Sequence, residues 1–269
     1  MRLLKTAFFI MLEAAQINRL FRYLNRGRVK VLLYHSITPR GQFFDNGVGP
    51  EDFAKQIKHL KKYYNLISAA QLNNSESCSA HRVNLLITFD DGFLDNRATA
   101  TLILRQEGLS AIFFAIAACV PSGRSPDFVG QISVNSERAL AFRTVDTDDV
   151  RAMIGYGMTL GSHGVDHADY SKLPYELGIR DARRSKEMLE ALVPEADVDC
   201  FAFPWGRFQA GQEIDILSTY KRVFLTSHGF NQIGDRVMHR NEVFDGPQLW
   251  AAASGSLDYF RKWRVSVRE

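Results

Sequence analysis

Leu85-Leu86-Ile87-Thr88-Phe89-Asp90-Asp91-Gly92 sets two adjacent carboxylates at the end of a short, apolar, partly β-branched run, just before a glycine. Such a run reads as a buried strand, and Gly92 as the turn that ends it. Neighbouring side chains on extended backbone diverge, so Asp90 and Asp91 suit two separate tasks better than sharing one proton. One carboxylate can hold a metal while the other handles a proton. Outward from this stretch, apolar runs at 29–37, 110–120, 158–162, 199–203 and 223–227 alternate with helical patterns near 51–63, 94–107, 147–156, 175–192 and 247–263. That alternation predicts an α/β fold with a parallel sheet or barrel. The 269 residues match the ~250 typical of a barrel.

Further ligands are available in Gly161-Ser162-His163-Gly164-Val165-Asp166-His167. Four-residue spacing can bring two imidazoles to one cation from a helix face or from a compact loop, and the flanking glycines favour the loop. Asp91, His163 and His167 would form a shell of two nitrogens and one carboxylate with an open position for water, the pattern of a catalytic site. Asp90 is then left to take that water's proton. Taken singly, a double aspartate is also a common turn element, and paired histidines are often merely solvated.

With Ala111-Ile112-Phe113-Phe114 and Phe201-Ala202-Phe203-Pro204-Trp205-Gly206 added, the chain from about residue 30 to about 245 resembles the polysaccharide deacetylases. This family is also called the NodB-homology domain or carbohydrate esterase family four. The resemblance implies an irregular (β/α) barrel and metal-dependent removal of N- or O-acetyl groups from sugars. It implies Asp90 as general base, Asp91, His163 and His167 as ligands of a divalent ion, zinc foremost, and Pro204 and Trp205 as substrate-binding. A backbone N–H near Trp205 would stabilise the oxyanion.

Two positions depart from the family pattern. Gly164 stands where many members have Ser or Thr. Ala202 stands where many have the arginine that orients the base, so no guanidinium comes from this segment. The third motif instead resembles a subgroup with Phe-Ala-Tyr-Pro-Tyr-Gly. In a rearranged subgroup the acid is a histidine on the first strand, which Val31-Leu32-Leu33-Tyr34-His35 resembles, and His35 is favoured over His228 and His239.

The first thirty residues carry a separate signal. Leu3, Ala7, Ile10, Met11, Ala14, Ile17, Phe21 and Leu24 fall near helical spacing. Arg2, Lys5, Arg19, Arg22, Arg26, Arg28 and Lys30 face the single acid Glu13, so the net charge of +3 resides here and the remainder is slightly acidic. Lys5 and Glu13 break the apolar run short of the ~20 residues that span a bilayer. A basic amphipathic helix over 1–28 lying on an anionic membrane surface, ahead of a barrel domain over 29–269, is expected beside the alternative of a helix packed on the barrel. Nucleic-acid binding is disfavoured because no basic face marks the barrel portion.

Residues 121–146, with Pro121, Gly123, Pro126 and Gly130, read as a long loop beside the groove or as an insertion apart from it. Cys78, Cys119 and Cys200 are too few and too scattered for a disulfide framework, which suggests a reducing compartment. The expectation is a deacetylase of a cell-envelope or extracellular glycan or its lipid-linked precursor, cytoplasmic and peripheral at the inner membrane face. The alternatives are an O-deacetylase or deformylase of a related glycan and a catalytically silent carbohydrate-binding relative.

Overall fold

The computed structural model describes residues 11, 16–38, 47–127, 142–243 and 247–259. Among the described residues the strands are β1 (Val29–Tyr34), β2 (Asn65–Leu66), β3 (Asn84–Phe89), β4 (Ile112–Ala115), β5 (Thr159–Ser162), β6 (Cys200–Ala202), β7 (Arg222–Leu225), β8 (Val237–His239) and β9 (Asn241–Glu242). The sheet order is β8-β7-β6-β5-β4-β3-β1-β9, with β2 beside β3, and these strand pairings are parallel. The two ends of that order are neighbours in sequence. Residues 237–239 pair with β7 and residues 241–242 pair with β1, so one short stretch with Arg240 at its middle brings the sheet round to a nearly closed barrel.

The helices are α1 (Ile17–Leu24), α2 (Pro50–Tyr63), α3 (Thr101–Gln106), α4 (Thr147–Gly155), α5 (Tyr175–Leu192), α6 (Gln212–Asp215) and α7 (Pro247–Ser254). Local chemistry explains several boundaries. Pro50 occupies the first turn of α2, with Glu51 and Asp52 there and Lys61 and Lys62 in its last turn, each sign suited to its end of the helix dipole. A reciprocal capping box of Asp146 and Asp149 starts α4. The helical pattern at 247–263 is interrupted after Ser254, where Gly255 takes φ +89°, and residues 260–263 lie outside the described residues.

Alternation along the strands sorts side chains into two cores. Val29 and Val31 of β1, Leu86 of β3, Ile112 and Phe114 of β4, Ala202 of β6 and Met238 of β8 fill the barrel interior. Leu32, Tyr34, Leu85, Ile87 and Phe89 pack outward among the helix-borne residues Phe53, Ile57, Leu60 and Leu104. Burial on both faces is why these strands read as continuous apolar runs. The same period carries Thr88, Asp90, Leu33 and His35 to the interior face at the upper, C-terminal end of the barrel. Cys119 and Cys200 are buried, and all three cysteines are unpaired.

Gly161 of β5 is required by this interior. A Cβ there would lie 2.5 Å from Cδ1 of Phe114, which packs against Phe224 with ring centroids 5.2 Å apart. Gly161→Ala is expected to lower stability by about 1–3 kcal/mol through overpacking, read as a shifted midpoint in urea unfolding. An unchanged midpoint would contradict this description of the core.

Candidate active site

The chemistry-bearing residues converge because four of the five successive parallel strands β6-β5-β4-β3-β1 carry them at the same end of the sheet. Asp90 and Asp91 leave β3, His35 leaves β1, His163 and His167 follow β5, and Pro204 and Trp205 follow β6. Strand β3 stays extended through Phe89, and the Asp90 N–H donates to the Tyr34 carbonyl at 3.0 Å, directly beside His35. The chain then turns: Asp91 has φ +69° and Gly92 φ +64°. A Cβ on Gly92 would also lie 3.3 Å from Ala115 Cα. The two carboxylates are thus separated by this left-handed turn and not by the divergence of neighbours on an extended strand.

Asp91 Oδ1 lies 3.2 Å from His167 Nε2 and 3.5 Å from His163 Nε2. Ligand atoms at the usual ~2.1 Å from a tetrahedral ion stand about 3.4 Å apart, so these separations suit a single small cation. One ligand atom from each of the three residues lies within 4.8 Å of the others, and all three residues are buried. His163 Nδ1 sits 2.8 Å from the Ala202 carbonyl oxygen. A proton donated there leaves the Nε2 lone pair facing Asp91. Burial holds the His163 imidazole down at about 4, against the attraction of Asp90, so it is neutral at physiological pH, the form in which an imidazole can bind a metal. Burial opposes ionisation of Asp91, but the His167 hydrogen bond and charge, with the charges of His35 and His163, keep it below the usual carboxylate range. This donor set fits a divalent ion and does not choose among zinc and its neighbours.

Asp90 faces down into the barrel, where Arg240 Nη1 and Nη2 donate to its Oδ1 and Oδ2 at 2.6 and 2.9 Å. Arg240 is fully buried over the Phe114 ring, with Thr88 Oγ1 at 3.5 Å. Burial raises the cost of charge on Asp90, yet Arg240, with His163 and His35, holds its carboxyl below the ordinary value. The guanidinium absent at Ala202 therefore comes from the strand that closes the barrel. In the sequence Arg240 is simply a neighbour of His239. A buried carboxylate needs a cation, but Arg240 lies beyond Val237-Met238-His239 and 150 residues from Asp90, so no local pattern pairs them.

Gly164 costs the loop nothing that is not replaced. At φ +77° its position is closed in by Asp181 and Tyr170. Asp181 Oδ1 accepts from the Val165 N–H at 3.2 Å and from the Tyr170 hydroxyl, while Ser162 Oγ accepts from the Gly164 N–H at 3.3 Å. The paired histidines are on a loop, as the glycines suggested, with His167 at φ +59°. Non-glycine residues in the left-handed region are uncommon, and Asp91, His167 and Trp205 all sit in this site.

His35 is half-buried and placed by a clamp four residues beyond the carboxylates. Asn96 Nδ2 donates to the His35 carbonyl at 2.8 Å, and Asp95 accepts from Ser36 Oγ at 2.5 Å and the Ile37 N–H at 3.2 Å. Of His35, His228 and His239, His35 is the one that follows the strand paired with β3, beside Asp90, and adds a minor favourable charge to both carboxylates. His239 Nδ1 is engaged with Ser227 Oγ at 2.7 Å, and His228 Nδ1 with Asn241 Nδ2 at 2.9 Å. Trp205 is 52 % exposed, with its ring 4.7 Å from that of His167 and its Nε1 donating to the His167 carbonyl at 3.2 Å. It is a surface platform at the mouth, whereas Pro204 is buried beneath it. The loop read at 121–146 is described only at its ends, residues 128–141 lying outside the described residues. Arg124 at one end pairs with Asp166 of the histidine loop at 3.4 Å.

Comparison with known proteins identifies the family and the fold. The polysaccharide deacetylase family profile matches residues 79–217. The chain is 23% identical over 190 residues to the Bacillus subtilis protein YxkH, whose name assigns it provisionally to the polysaccharide deacetylases. That match covers 67% of this chain and 58% of the length of YxkH. Among solved structures, IcaB from Ammonifex degensii superposes with a TM-score of 0.69 at 23% identity, covering 85% of this chain and 96% of IcaB. The Streptococcus pyogenes deacetylase PplD, solved in complex with acetate, gives a TM-score of 0.67 at 18% identity, with 84% of this chain and 98% of PplD covered. The fold is shared across these proteins.

Removing Arg240 should expose the dependence of Asp90 on it. Arg240→Met is expected to lose about 3–5 kcal/mol of stability near pH 7, since a buried carboxylate is left unpaired. Asp90 is depressed in the folded wild type, so the stabilisation is present above the ordinary carboxylate pKa of ~3.9 and fades as pH falls through the lowered one. The stability difference between variant and wild type should therefore shrink with acidification. A difference that is small, or constant with pH, would contradict the ion pair.

Proposed function

Since the chain belongs to the polysaccharide deacetylase family, we propose that it is a metal-dependent hydrolase removing acetyl groups from N-acetylated sugars of a cell-envelope or extracellular glycan or its precursor. The observation that carries this reading is the buried Asp91–His163–His167 cluster with the Arg240-bound carboxylate of Asp90 beside it. Those three residues would hold a divalent ion, which would supply Lewis acidity toward the acetyl carbonyl and toward an attacking water. Asp90, kept ionised by Arg240, takes the proton of that water. Each Asp90 oxygen accepts one bond from Arg240 and retains a lone pair for this purpose.

The amine of an amide leaves poorly unless it is protonated, so a proton donor within reach of the leaving nitrogen is required. His35, at the end of the strand next to β3, serves as that donor, with its backbone fixed by Asn96 and its neighbours by Asp95. The backbone N–H of Trp205 donates to the developing oxyanion, and the exposed indole face packs on a pyranose ring. The O-deacetylase or deformylase reading uses the same groups with less need for the acid. The silent-relative reading is disfavoured because Arg240 and Asp181 make good the two motif departures that motivated it.

Acetate release from N-acetylated glucosamine oligomers is expected to require a divalent ion, to stop on chelation and to return on metal addition. His163→Ala should lose bound metal. Asp90→Asn and His35→Ala should keep it while turnover falls by about 10²-fold or more. Sugar binding without acetate release under any metal would overturn the hydrolase reading, and near-normal turnover of His35→Ala would remove His35 from the acid role.

A further inference from the structure

Helix α1 has its burial inverted. Its fully buried residue is Asn18, whose Oδ1 accepts from Ser254 Oγ at 3.0 Å and Ser256 Oγ at 2.7 Å. Ile17 and Phe21 complete the contact with the C-terminal segment, Ile17 packing on Ala251, Ala252 and Leu257, and Phe21 lying 5.4 Å from Tyr259. On the outer side Leu20, Tyr23 and Leu24 are 55, 62 and 62 % exposed. These three recur at helical spacing, so they form one continuous apolar strip turned to solvent. A strip of this kind on a short helix that already has a packing partner calls for a second apolar medium.

The surroundings of the strip are cationic. Arg19, Arg26 and Arg28 are exposed on and just after the helix. Beside Tyr23 opens a cleft of about 540 Å³ lined by Arg19, Arg22, Tyr23, Tyr63 and Arg82 among others. The Arg22 guanidinium stacks over Tyr63 at 4.8 Å, and its Nη1 is buried with no hydrogen-bond partner. An anionic oxygen in the cleft would meet three guanidiniums. No helix among the described residues is long and apolar enough to cross a membrane.

We propose that α1 docks the protein on an anionic phospholipid surface, Leu20, Tyr23 and Leu24 entering the headgroup boundary while the Arg19–Arg22–Arg82 cleft receives a lipid phosphate. Apolar insertion combined with arginine–phosphate attraction is the physical basis of interfacial helix binding. The helix leads into the N-terminal end of β1, and Arg82 precedes the N-terminal end of β3, so the docking surface is the base of the barrel. The catalytic mouth at the C-terminal strand ends then opens away from the bilayer.

The full chain is to be sedimented with vesicles of phosphatidylcholine alone and of phosphatidylcholine with phosphatidylglycerol, across a salt series. Binding is expected only with phosphatidylglycerol present and is expected to weaken as salt rises. Leu20→Ser/Leu24→Ser and Arg19→Gln/Arg82→Gln alter exposed residues and should each reduce the bound fraction about tenfold or more, with circular dichroism and thermal unfolding unchanged. Equal binding to both vesicles, or wild-type binding by both variants, would overturn the proposal. So would absence of vesicle binding together with a concentration-dependent dimer that Leu20→Ser/Leu24→Ser dissolves, since the strip would then be covered by a second copy.

Discussion

The bidentate pair between Asp90 and Arg240 ties the fold to the site. Arg240 is a fully buried cation at the point where the short strand 237–242 passes from β7 to β1, so it sits on the seam that brings the barrel round. A guanidinium there is tolerable only with a carboxylate to meet it, and Asp90 at the end of β3 provides one in fork-to-fork geometry. The pair pulls Asp90 toward the barrel axis. Its sequence neighbour Asp91 must then turn the other way, and its left-handed backbone accomplishes this.

Two carboxylates with different partners follow from that one constraint. Asp90 has a cation beneath it and its Oδ2 lies 3.9 Å from His163 Nε2, whereas Asp91 has two imidazole nitrogens within 3.5 Å. The supporting residues fix the same division. The Ala202 carbonyl selects the tautomer of His163, Asp181 and Ser162 hold the histidine loop, and Asn96 and Asp95 hold the His35 turn. Asp91, His167 and Trp205 sit in left-handed backbone, which the rigid parallel strands beneath them can sustain.

Much of this was legible in sequence for physical reasons. Strands buried on both faces leave unbroken apolar runs, so β1, β3 and β5 announced themselves, and the glycines around His163 marked a loop rather than a helix. The run at 110–120 is a strand only over Ile112–Ala115, because the chain after it turns to bond the histidine loop through the Ala117 and Ala118 N–H groups. The closing strand was hidden. Val237–His239 and Asn241–Glu242 are short, pair on opposite sides, and place a buried arginine in a polar stretch that periodicity reads as a loop. Arg240 and Asp181 act across long sequence separations, and no local pattern encodes such partners. Of the amphipathic helix read over 1–28, Ile17–Leu24 is observed packed on the C-terminal segment, and Leu3, Ala7, Ile10 and Ala14 lie outside the described residues.

The central claim is that one ion is held by Asp91, His163 and His167 while Asp90 stays with Arg240. Anomalous scattering from crystals grown with zinc tests it most directly. The account predicts a single strong peak within bonding distance of Nε2 of both histidines and a carboxylate oxygen of Asp91, with the Asp90–Arg240 pair intact. A peak elsewhere, or one coordinated by an Asp90 that has left Arg240, would contradict it.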